Sequence, residues 1–529
     1  MRFTMRLMAC LSLLALALVS CSSAPTAHPP VPTDHRHHLA ELAWGIVGVP
    51  DVPTLDPALA SDPTSISVAS LVYGGLVRLD RHLQVKPDGA SSWHISRDGK
   101  VYTFSIRPNL RFAGGRRVTA RDFADALQRA LGAEGSTGTA SFYLSLITVR
   151  RGIVRGSTRV NRGIQVINPS TLRITLTRPA AHFLAELAFP SAFVPDPAIL
   201  KRYGPSWTDH AAGFGPYTVR LWRHSRFLSL ERNAYYYAGK PAVKRITMYF
   251  YSPASAAAAY HRGALGVVSG FQPGETFSGR SIGIRRVAGL ALDYLAFNTS
   301  RTPFRRINAR RAFAAAWTPH LAAAVVGRTG FSAHGLLPSG FGLGGRGWRP
   351  HVSAGRYLAA ARYPHGNGFP ALSLITPQNP YLIALAHDLE RVWALTLQID
   401  VLVRPLNPLN YSRVLNAHAF DLALVQWGAD YPDAQDFLGT QLGSSPDNIT
   451  GWSKASYVRA VALADSYSPT DPRRRQLEQQ AAQIATRAVA IVPLDQPALA
   501  ALIRPGLAGI ALTGLGTVAV EPMQLGVSR

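Results

Sequence analysis

The chain has 529 residues, of which 47% are hydrophobic and 16% charged, and its formal net charge is +25 at pH 7. This length is more than one ordinary hydrophobic core serves, so we expect two or three lobes, and the composition excludes a disordered chain. The basic surplus is spread along the sequence without a motif that combines basic and aromatic residues, which argues against a nucleic acid partner.

The N-terminus has the pattern of an exported lipoprotein. Arg2 and Arg6 precede an apolar stretch at residues 7–19, which is too short to cross a membrane as a mature helix. Residues 18–21 read L-V-S-C and resemble a bacterial lipobox, in which cleavage falls before the cysteine and the thiol receives a lipid. We therefore predict a signal peptide at residues 1–20 and lipidation of Cys21. A plain secretory signal with an incidental cysteine is the alternative.

Residues 21–38 are the predicted linker. They are rich in proline and polar residues, which is the composition of an extended spacer. Cys10 would leave with the signal and Cys21 would be modified, so the mature protein would contain no disulfide. No later stretch approaches the roughly 18 uninterrupted apolar residues of a membrane span. We expect an extracytoplasmic body, in the periplasm or at the cell surface, tethered to the membrane through Cys21.

The folded part opens with strand-like segments. Residues 42–49 are apolar and rich in β-forming residues, and residues 68–79 continue this strand-like character after a break. The dipeptide Asp98-Gly99 stands between two runs of alternating character and predicts a β-hairpin.

Helical patterns follow, and a buried strand is predicted near the C-terminus. Thr119 is the predicted N-cap of a helix that runs to residue 130. Residues 473–489 have helical periodicity. Residues 420–427 read F-D-L-A-L-V-Q-W, which predicts a buried strand that ends just before a carboxylate, Asp430.

The sequence also contains a series of short motifs in a fixed order. They are L-D-P (55–57), Y-G-G-L (73–76), S-W-H-I-S-R-D-G-K-V-Y-T-F-S-I-R (92–107), T-A-R-D-F (119–123), F-G-P-Y-T-V (214–219), E-R-N-A-Y-Y (231–236), Y-L-A-F-N-T-S-R-T-P-F (294–304), A-R-R-A-F-A-A-A-W (309–317), A-R-Y-P-H-G-N-G-F-P (361–370) and W-G-A-D (427–430). In this order they resemble the family of bacterial extracellular solute-binding proteins that serve peptide ABC importers. The oligopeptide- and dipeptide-binding proteins are its best-known members.

The resemblance implies an α/β fold of the two-lobed periplasmic-binding-protein type, with a two-strand hinge and an extra subdomain inserted in lobe I. Proline- and glycine-rich breaks near residues 203–216 and 335–350 support such a division. Carried onto this chain, lobe I comprises residues 39–78, 205–290 and 490–529, the inserted subdomain residues 79–204, and lobe II residues 291–489.

The resemblance also assigns the candidate binding site. In open α/β sheets ligands bind beyond the carboxyl ends of strands, and Asp430 follows the strand at 420–427. W-x-A-D is the segment in which family members place the aspartate that binds the α-ammonium group of a peptide, and a buried ammonium group needs such a partner. Trp427 would form the wall of a side-chain pocket, and the backbone of Gly428 and Ala429 would pair with the peptide main chain. The alternative is that Asp430 belongs to an ordinary turn.

Two further residues complete the candidate set, and one position departs from the family. Tyr431 follows the aspartate directly, and Asn448 lies in a segment that resembles a cleft lining but could simply hold a loop. Asp433 and Asp436 are interpreted as caps of the following helix. Oligopeptide-binding relatives place an arginine three residues before the tryptophan, where it can meet a ligand carboxylate, and here that residue is Leu424.

These features predict a lipid-anchored substrate-binding component of an ABC importer, which captures di- or oligopeptides between its lobes and delivers them to permease and ATPase subunits. We expect a monomer that needs no cofactor or metal. We expect no enzymatic activity, because the sequence contains no nucleophile elbow, zinc-binding helix motif or phosphate loop. The alternative within the same fold is a non-peptide ligand: a nickel chelate, haem, an opine or an oligosaccharide. A tethered secreted hydrolase is the remaining alternative.

Overall fold

The structure is a computed structural model that describes residues 41–132, 139–147, 163–271, 283–318, 321, 330–333, 335–343 and 347–527. The predicted signal peptide, the lipidation site Cys21 and the linker at residues 21–38 lie outside the described residues. Within the described ranges no helix is both long enough and apolar enough to cross a membrane.

Strands and helices are mixed along the chain. The strands are β1 (Glu41–Val47), β2 (Val77–Leu79), β3 (Val85–Pro87), β4 (Ala90–Ile95), β5 (Val101–Ile106), β6 (Ile164–Asn168), β7 (Thr171–Thr175), β8 (Tyr217–Arg223), β9 (Phe227–Arg232), β10 (Arg245–Tyr251), β11 (Val267–Ser269), β12 (Ile284–Ala288), β13 (Ala291–Phe297), β14 (Gly330–Ser332), β15 (Leu372–Pro377), β16 (Val401–Leu406), β17 (Leu422–Gly428), β18 (Ile491–Ile503), β19 (Leu507–Ala508), β20 (Ile510–Leu512), β21 (Val518–Val520) and β22 (Gly526–Val527). The helices are α1 (Pro63–Val72), α2 (Ala120–Gly132), α3 (Thr139–Tyr143), α4 (Phe183–Glu186), α5 (Pro197–Tyr203), α6 (Pro253–His261), α7 (Ile307–Ala316), α8 (Ala354–Ala360), α9 (Pro380–Leu397), α10 (Pro408–Asn416), α11 (Gln435–Leu438), α12 (Ala455–Ala464) and α13 (Pro472–Ala488).

The long strand β18 joins two parts of one large sheet, whose strand order is β16-β15-β17-β13-β18-β11-β1-β10-β9-β8. Residues 491–495 of β18 pair with β13, and residues 498–503 pair with β12 and β11. Since β12 runs into β13 through Gly289 and Leu290, two neighbouring strands connect the two parts. This is the arrangement that the resemblance implies for a hinge, while the lobe boundaries given above stay a prediction.

A separate antiparallel sheet has the order β4-β5-β7-β6, and α2 packs against β6 and β7. The predicted hairpin at Asp98-Gly99 connects β4 with β5, and Gly99 adopts a φ of +69°, which glycine tolerates best. Helix α2 begins directly after Thr119, and the Asp122 carboxylate accepts the N–H of Thr119 at 2.8 Å. The predicted helix start is confirmed.

Hydrophobic clusters cover both faces of the β13–β17 part of the large sheet. Alternate residues of a strand face opposite sides, so Leu295 and Phe297 of β13 enter one cluster while Tyr294 and Ala296 enter the other. All four side chains are buried. A ligand can therefore reach this part of the sheet only at its edges and beyond the ends of its strands.

Residues 68–79 differ from the strand-like expectation, because residues 68–72 are the C-terminal half of helix α1. Asp62 caps this helix by accepting the N–H groups of Thr64 and Ser65 at 3.0 and 2.9 Å, and Pro63 suits the first helical position. Only the last residues of the stretch form β2. The capping signal outweighs the β-forming residues that follow it.

Candidate functional site

The open edge of β17 is the first part of the candidate site. The N–H of Ala429 donates to the carbonyl oxygen of Leu290, just before β13, at 2.7 Å. Since successive strand residues direct their N–H and C=O groups to opposite sides, those of Gly428 point away from β13. On that side β15 pairs with β17 only at Leu422 and Ala423, so no described strand covers Gly428, which is exposed. Gly428 is available for the predicted pairing with a ligand, whereas the N–H of Ala429 is not.

Asp430 is held by its main chain and leaves its carboxylate free. Its N–H donates to Oδ2 of Asp436 at 3.2 Å, and its carbonyl oxygen accepts the phenol of Tyr143 at 2.9 Å. No described residue bonds its carboxylate, which is half-buried. Burial, followed by the nearby Asp447 carboxylate, raises the pKa of Asp430 to about 6. The sequence prediction of an unpaired anion at the strand end agrees with this geometry.

Trp427 is fixed by the same carboxyl group that holds Asp430. Its indole N–H donates to Oδ2 of Asp436 at 3.1 Å. Asp436 is 0% exposed and lies inside α11, so the interpretation of Asp436 as a helix cap is wrong. Burial, followed by the nearby Asp430 carboxylate, raises the pKa of Asp436 well above its ordinary value.

Asp433 behaves as the sequence suggests and stabilises the start of α11. Its Oδ1 accepts the N–H of Gln435 at 2.9 Å and a guanidinium N–H of Arg474 at 2.6 Å. Arg474 also pairs with Glu478 at 2.9 Å. Burial would raise the pKa of Asp433, but the guanidinium of Arg474 outweighs it and lowers that pKa. This buried ion pair anchors the loop after β17 to α13.

Tyr431 packs inside the protein instead of facing a ligand. Its ring is 2% exposed and stacks on His182 at a centroid distance of 5.5 Å, and its hydroxyl donates to Gln435. His182 in turn contacts Asp465 at 3.1 Å. The predicted ligand contact of the Tyr431 side chain therefore has no support in this arrangement.

Asn448 uses all its hydrogen-bonding capacity within one loop. Its amide N–H groups donate to the carbonyl oxygens of Gly443 and Trp452, and its oxygen accepts the N–H and hydroxyl of Thr450. The side chain is 7% exposed. A primary amide has two N–H groups and one acceptor oxygen, so no group remains for a ligand. The loop-holding alternative accounts for Asn448 better than the predicted binding role.

Leu424 stands where oligopeptide-binding relatives have an arginine, and its surroundings show that it cannot take that arginine's role. It is fully buried in the cluster on one face of the sheet, and its carbonyl oxygen accepts the phenol of Tyr411. An apolar side chain at this position cannot pair with a ligand carboxylate.

Sequence reasoning missed two residues that shape the site. Tyr143 lies on α3, 287 positions from Asp430, and no local pattern relates the two. Asp436 had a visible signal, because a carboxylate a few residues beyond a turn can reach back to a turn N–H. The interpretation of Asp436 as a cap rested on the same chemistry, with a carboxylate accepting an N–H, but assigned the wrong N–H donor.

Comparisons with known proteins agree on one family. The model of the bacterial extracellular solute-binding proteins, family 5 middle, matches residues 84–448. YgiS of Escherichia coli K12, named as a probable deoxycholate-binding periplasmic protein, is 25% identical over 479 residues, which cover 86% of this chain and 88% of that protein. The dipeptide-binding protein DppE of Bacillus subtilis 168 is 24% identical over 509 residues, which cover 91% of each.

A solved structure shares the fold. The unliganded open form of MppA, a periplasmic murein tripeptide-binding protein, matches with a TM-score of 0.80 and 24% identity, over 92% of this chain and 98% of that chain. The predicted two-lobed α/β fold is thereby confirmed. Because the family model covers more than half of the sequence, the chain belongs to the bacterial extracellular solute-binding proteins of family 5.

Proposed function

We propose that this chain is the substrate-binding component of an ABC importer and closes its two lobes around a small peptide with a free α-ammonium group. The observation that supports this most is Asp430, a half-buried carboxylate that no described residue bonds. It stands at the end of β17 beside the exposed backbone of Gly428. An anion and an open strand edge are complementary to the two features that every unmodified peptide shares, its N-terminus and its main chain.

The electrostatics favour a cationic ligand group at Asp430. Burial raises the pKa of this carboxyl group because the anion has lost part of its hydration. An ammonium group would restore the lost interactions through charge-assisted hydrogen bonds, which are stronger than neutral ones. Lobe closure around such a ligand would exclude water, and the closed form is then stabilised by its higher affinity for the ligand.

The names of the relatives support a peptide more than other ligands. DppE is named for dipeptides and MppA for a murein tripeptide. YgiS is named for deoxycholate, which favours a second candidate, a non-peptide ligand. A bile acid carries a carboxylate and no ammonium group, however, so Asp430 would repel it and Leu424 could not pair with it. All three names describe binding, which disfavours the tethered hydrolase.

The central experiment compares peptides with and without a free N-terminus. Isothermal titration with a tripeptide mixture should give Kd values in the micromolar range, about −8 kcal/mol. We expect N-acetylation of the peptides, or Asp430→Asn, to weaken binding by roughly 30-fold or more, because breaking a desolvated charge pair costs about 2 kcal/mol or more. Asp447→Asn is the matched control, since it removes the exposed neighbouring carboxylate. Equal affinity for the free and acetylated peptides contradicts the proposal.

Membrane attachment through Cys21 and delivery to permease and ATPase subunits complete the proposal. The lipobox-like segment at residues 18–21 supports the attachment. Cells grown with radioactive palmitate should label the wild type and a Cys10→Ser variant, but not Cys21→Ser. Label on Cys21→Ser would rule out Cys21 as the attachment point.

A further inference from the structure

One carboxyl oxygen joins two residues of the candidate site. Oδ2 of Asp436 accepts the N–H of Asp430 at 3.2 Å and the indole N–H of Trp427 at 3.1 Å. We propose that Asp436 is a positioning residue for ligand binding, which fixes the free carboxylate of Asp430 and the ring of Trp427 relative to each other; this rests on the proposed function.

The surrounding structure makes Asp436 a rigid support. Asp436 lies on α11, whose first turn is bonded to Asp433 and through it to Arg474 of α13. On the other side of the loop, Tyr143 holds the carbonyl oxygen of Asp430. The main chain of Asp430 is therefore fixed at both of its polar groups, and its side chain is left to meet a ligand. Without the oxygen of Asp436, one of these two attachments is lost.

The charges around Asp436 favour a neutral acceptor over a second anion. The ionisable groups that face it are the carboxylates of Asp430 and Asp433 and the phenols of Tyr143 and Tyr431. Asp433 is neutralised by Arg474, while Asp430 has no such partner among the described residues. Burial and the proximity of Asp430 raise the pKa of Asp436, which favours its neutral form.

The second oxygen of Asp436 agrees with this assignment. Oδ1 is buried and has no hydrogen-bond partner in the described part of the chain. An ionised oxygen in that environment would be far costlier than a protonated one. Asp430 therefore carries the negative charge of this pair, and Asp436 fixes the positions of Asp430 and Trp427. An asparagine at this position keeps the acceptor oxygen and the neutral state.

The test measures how well each variant distinguishes a free from an N-acetylated tripeptide. The readout is the Kd of the N-acetylated peptide divided by the Kd of the free peptide, measured at pH 7 by isothermal titration with the full-length protein. The variants are Asp436→Asn, Asp436→Leu and Trp427→Phe, which keep the acceptor, remove the acceptor and remove one donor, respectively. Asp430→Asn sets the lower limit of the ratio. A change that only destabilised the fold would weaken both peptides equally and leave the ratio unchanged.

We expect Asp436→Asn to keep the wild-type ratio within about twofold, and Asp436→Leu to lower it by about tenfold or more. Trp427→Phe should lower the ratio less, because the bond to Asp430 remains. An unchanged ratio in Asp436→Leu overturns the inference, and so does a loss in Asp436→Asn as large as in Asp430→Asn. If Asp436→Leu does not fold, as judged by circular dichroism, the other two variants decide. A wild-type ratio in Asp436→Asn together with a lowered ratio in Trp427→Phe supports the inference. A lowered ratio in Asp436→Asn together with a wild-type ratio in Trp427→Phe overturns it. A wild-type ratio near one contradicts the proposed function itself.

Discussion

Asp293 and Asp495 are paired directly across β13 and β18, where the long strand passes from one part of the large sheet to the other. Their side chains are 0% and 1% exposed. Gln426 donates to Oδ1 of Asp293 at 2.9 Å and Tyr381 donates to Oδ2 of Asp495 at 2.7 Å. Burial raises the pKa of Asp293 to about 7 and that of Asp495 to about 6. Since two adjacent buried carboxylates repel each other, the pair favours holding a proton near neutral pH.

This pair predicts that stability falls as the pH rises. A carboxyl group whose pKa is higher in the folded than in the unfolded chain stabilises the fold at low pH, and that contribution is lost as the pH rises through about 6 to 7. Asp293→Asn removes one such group. We expect its free energy of unfolding, relative to the wild type, to increase by roughly 2–3 kcal/mol between pH 5 and pH 8. Urea unfolding at the two pH values measures it. The exposed Asp400 is the control, and its Asn variant should show no such change; a pH-independent difference for Asp293→Asn contradicts the prediction.

Ligand affinity should have the opposite pH dependence. In its proposed role Asp430 would bind an ammonium group only when ionised, and its pKa is about 6. We therefore expect peptide Kd values to be about tenfold higher at pH 5 than at pH 7.5, because protonation of Asp430 then dominates. Isothermal titration across this range tests the prediction, with the acetylated peptide as a control that should vary little. A flat profile for the free peptide would show that Asp430 does not titrate in the free protein as described.

The open edge at Gly428 allows a backbone test. Among the described residues, a methyl group added at Gly428 would meet only the side chain of Ala291, at 4.0 Å. Gly428→Ala should therefore fold normally and bind peptide within about twofold of the wild type. Gly428→Pro removes the N–H that points to the open edge. We expect it to weaken peptide binding by about fivefold or more, since a hydrogen bond contributes roughly 1 kcal/mol. Equal affinities of the Ala and Pro variants would mean that a ligand does not bond this N–H.

Asn448 should matter for stability and not for ligand recognition. Asn448→Ala removes the amide donor to the carbonyl oxygen of Gly443 and one of the two donors to that of Trp452, which still accepts the N–H of Gly443 at 3.2 Å. We expect the variant to lose about 2–4 kcal/mol of folding free energy, while the folded fraction binds peptide with unchanged preference for a free N-terminus. Asn308→Ala is the control, because within the described ranges the Asn308 side chain accepts a single long contact, from Arg311 at 3.5 Å. Selective loss of peptide affinity in Asn448→Ala would restore the binding role predicted from the sequence.

The elements that the sequence predicted well are those whose signals are local. The apolar run that became β17, the Asp98-Gly99 hairpin and the helix start after Thr119 each depend on a few neighbouring residues. The prediction missed helix α1 because it considered the β-forming residues after Asp62 without the helix-start signal of Asp62 and Pro63.

The site was predictable only in part, for a related reason. Asp430 could be located because a strand end and a motif coincide there. The bond from Tyr143, the stacking of Tyr431 on His182 and the saturation of Asn448 depend on packing between distant segments or on a complete loop conformation. Residue type and spacing along the chain do not contain that information, so these contacts could not be read from the sequence.

The 13-residue strand β18 has a consequence for how the protein melts. Its backbone belongs to the hydrogen-bond ladders on both sides of the junction, so neither half of the sheet can lose its order without exposing the edge of the other. Differential scanning calorimetry should therefore record one cooperative heat-absorption peak instead of two for the part of the chain that contains this sheet. If the lobes close as proposed, a few backbone torsions close to Gln496 would have to absorb the movement.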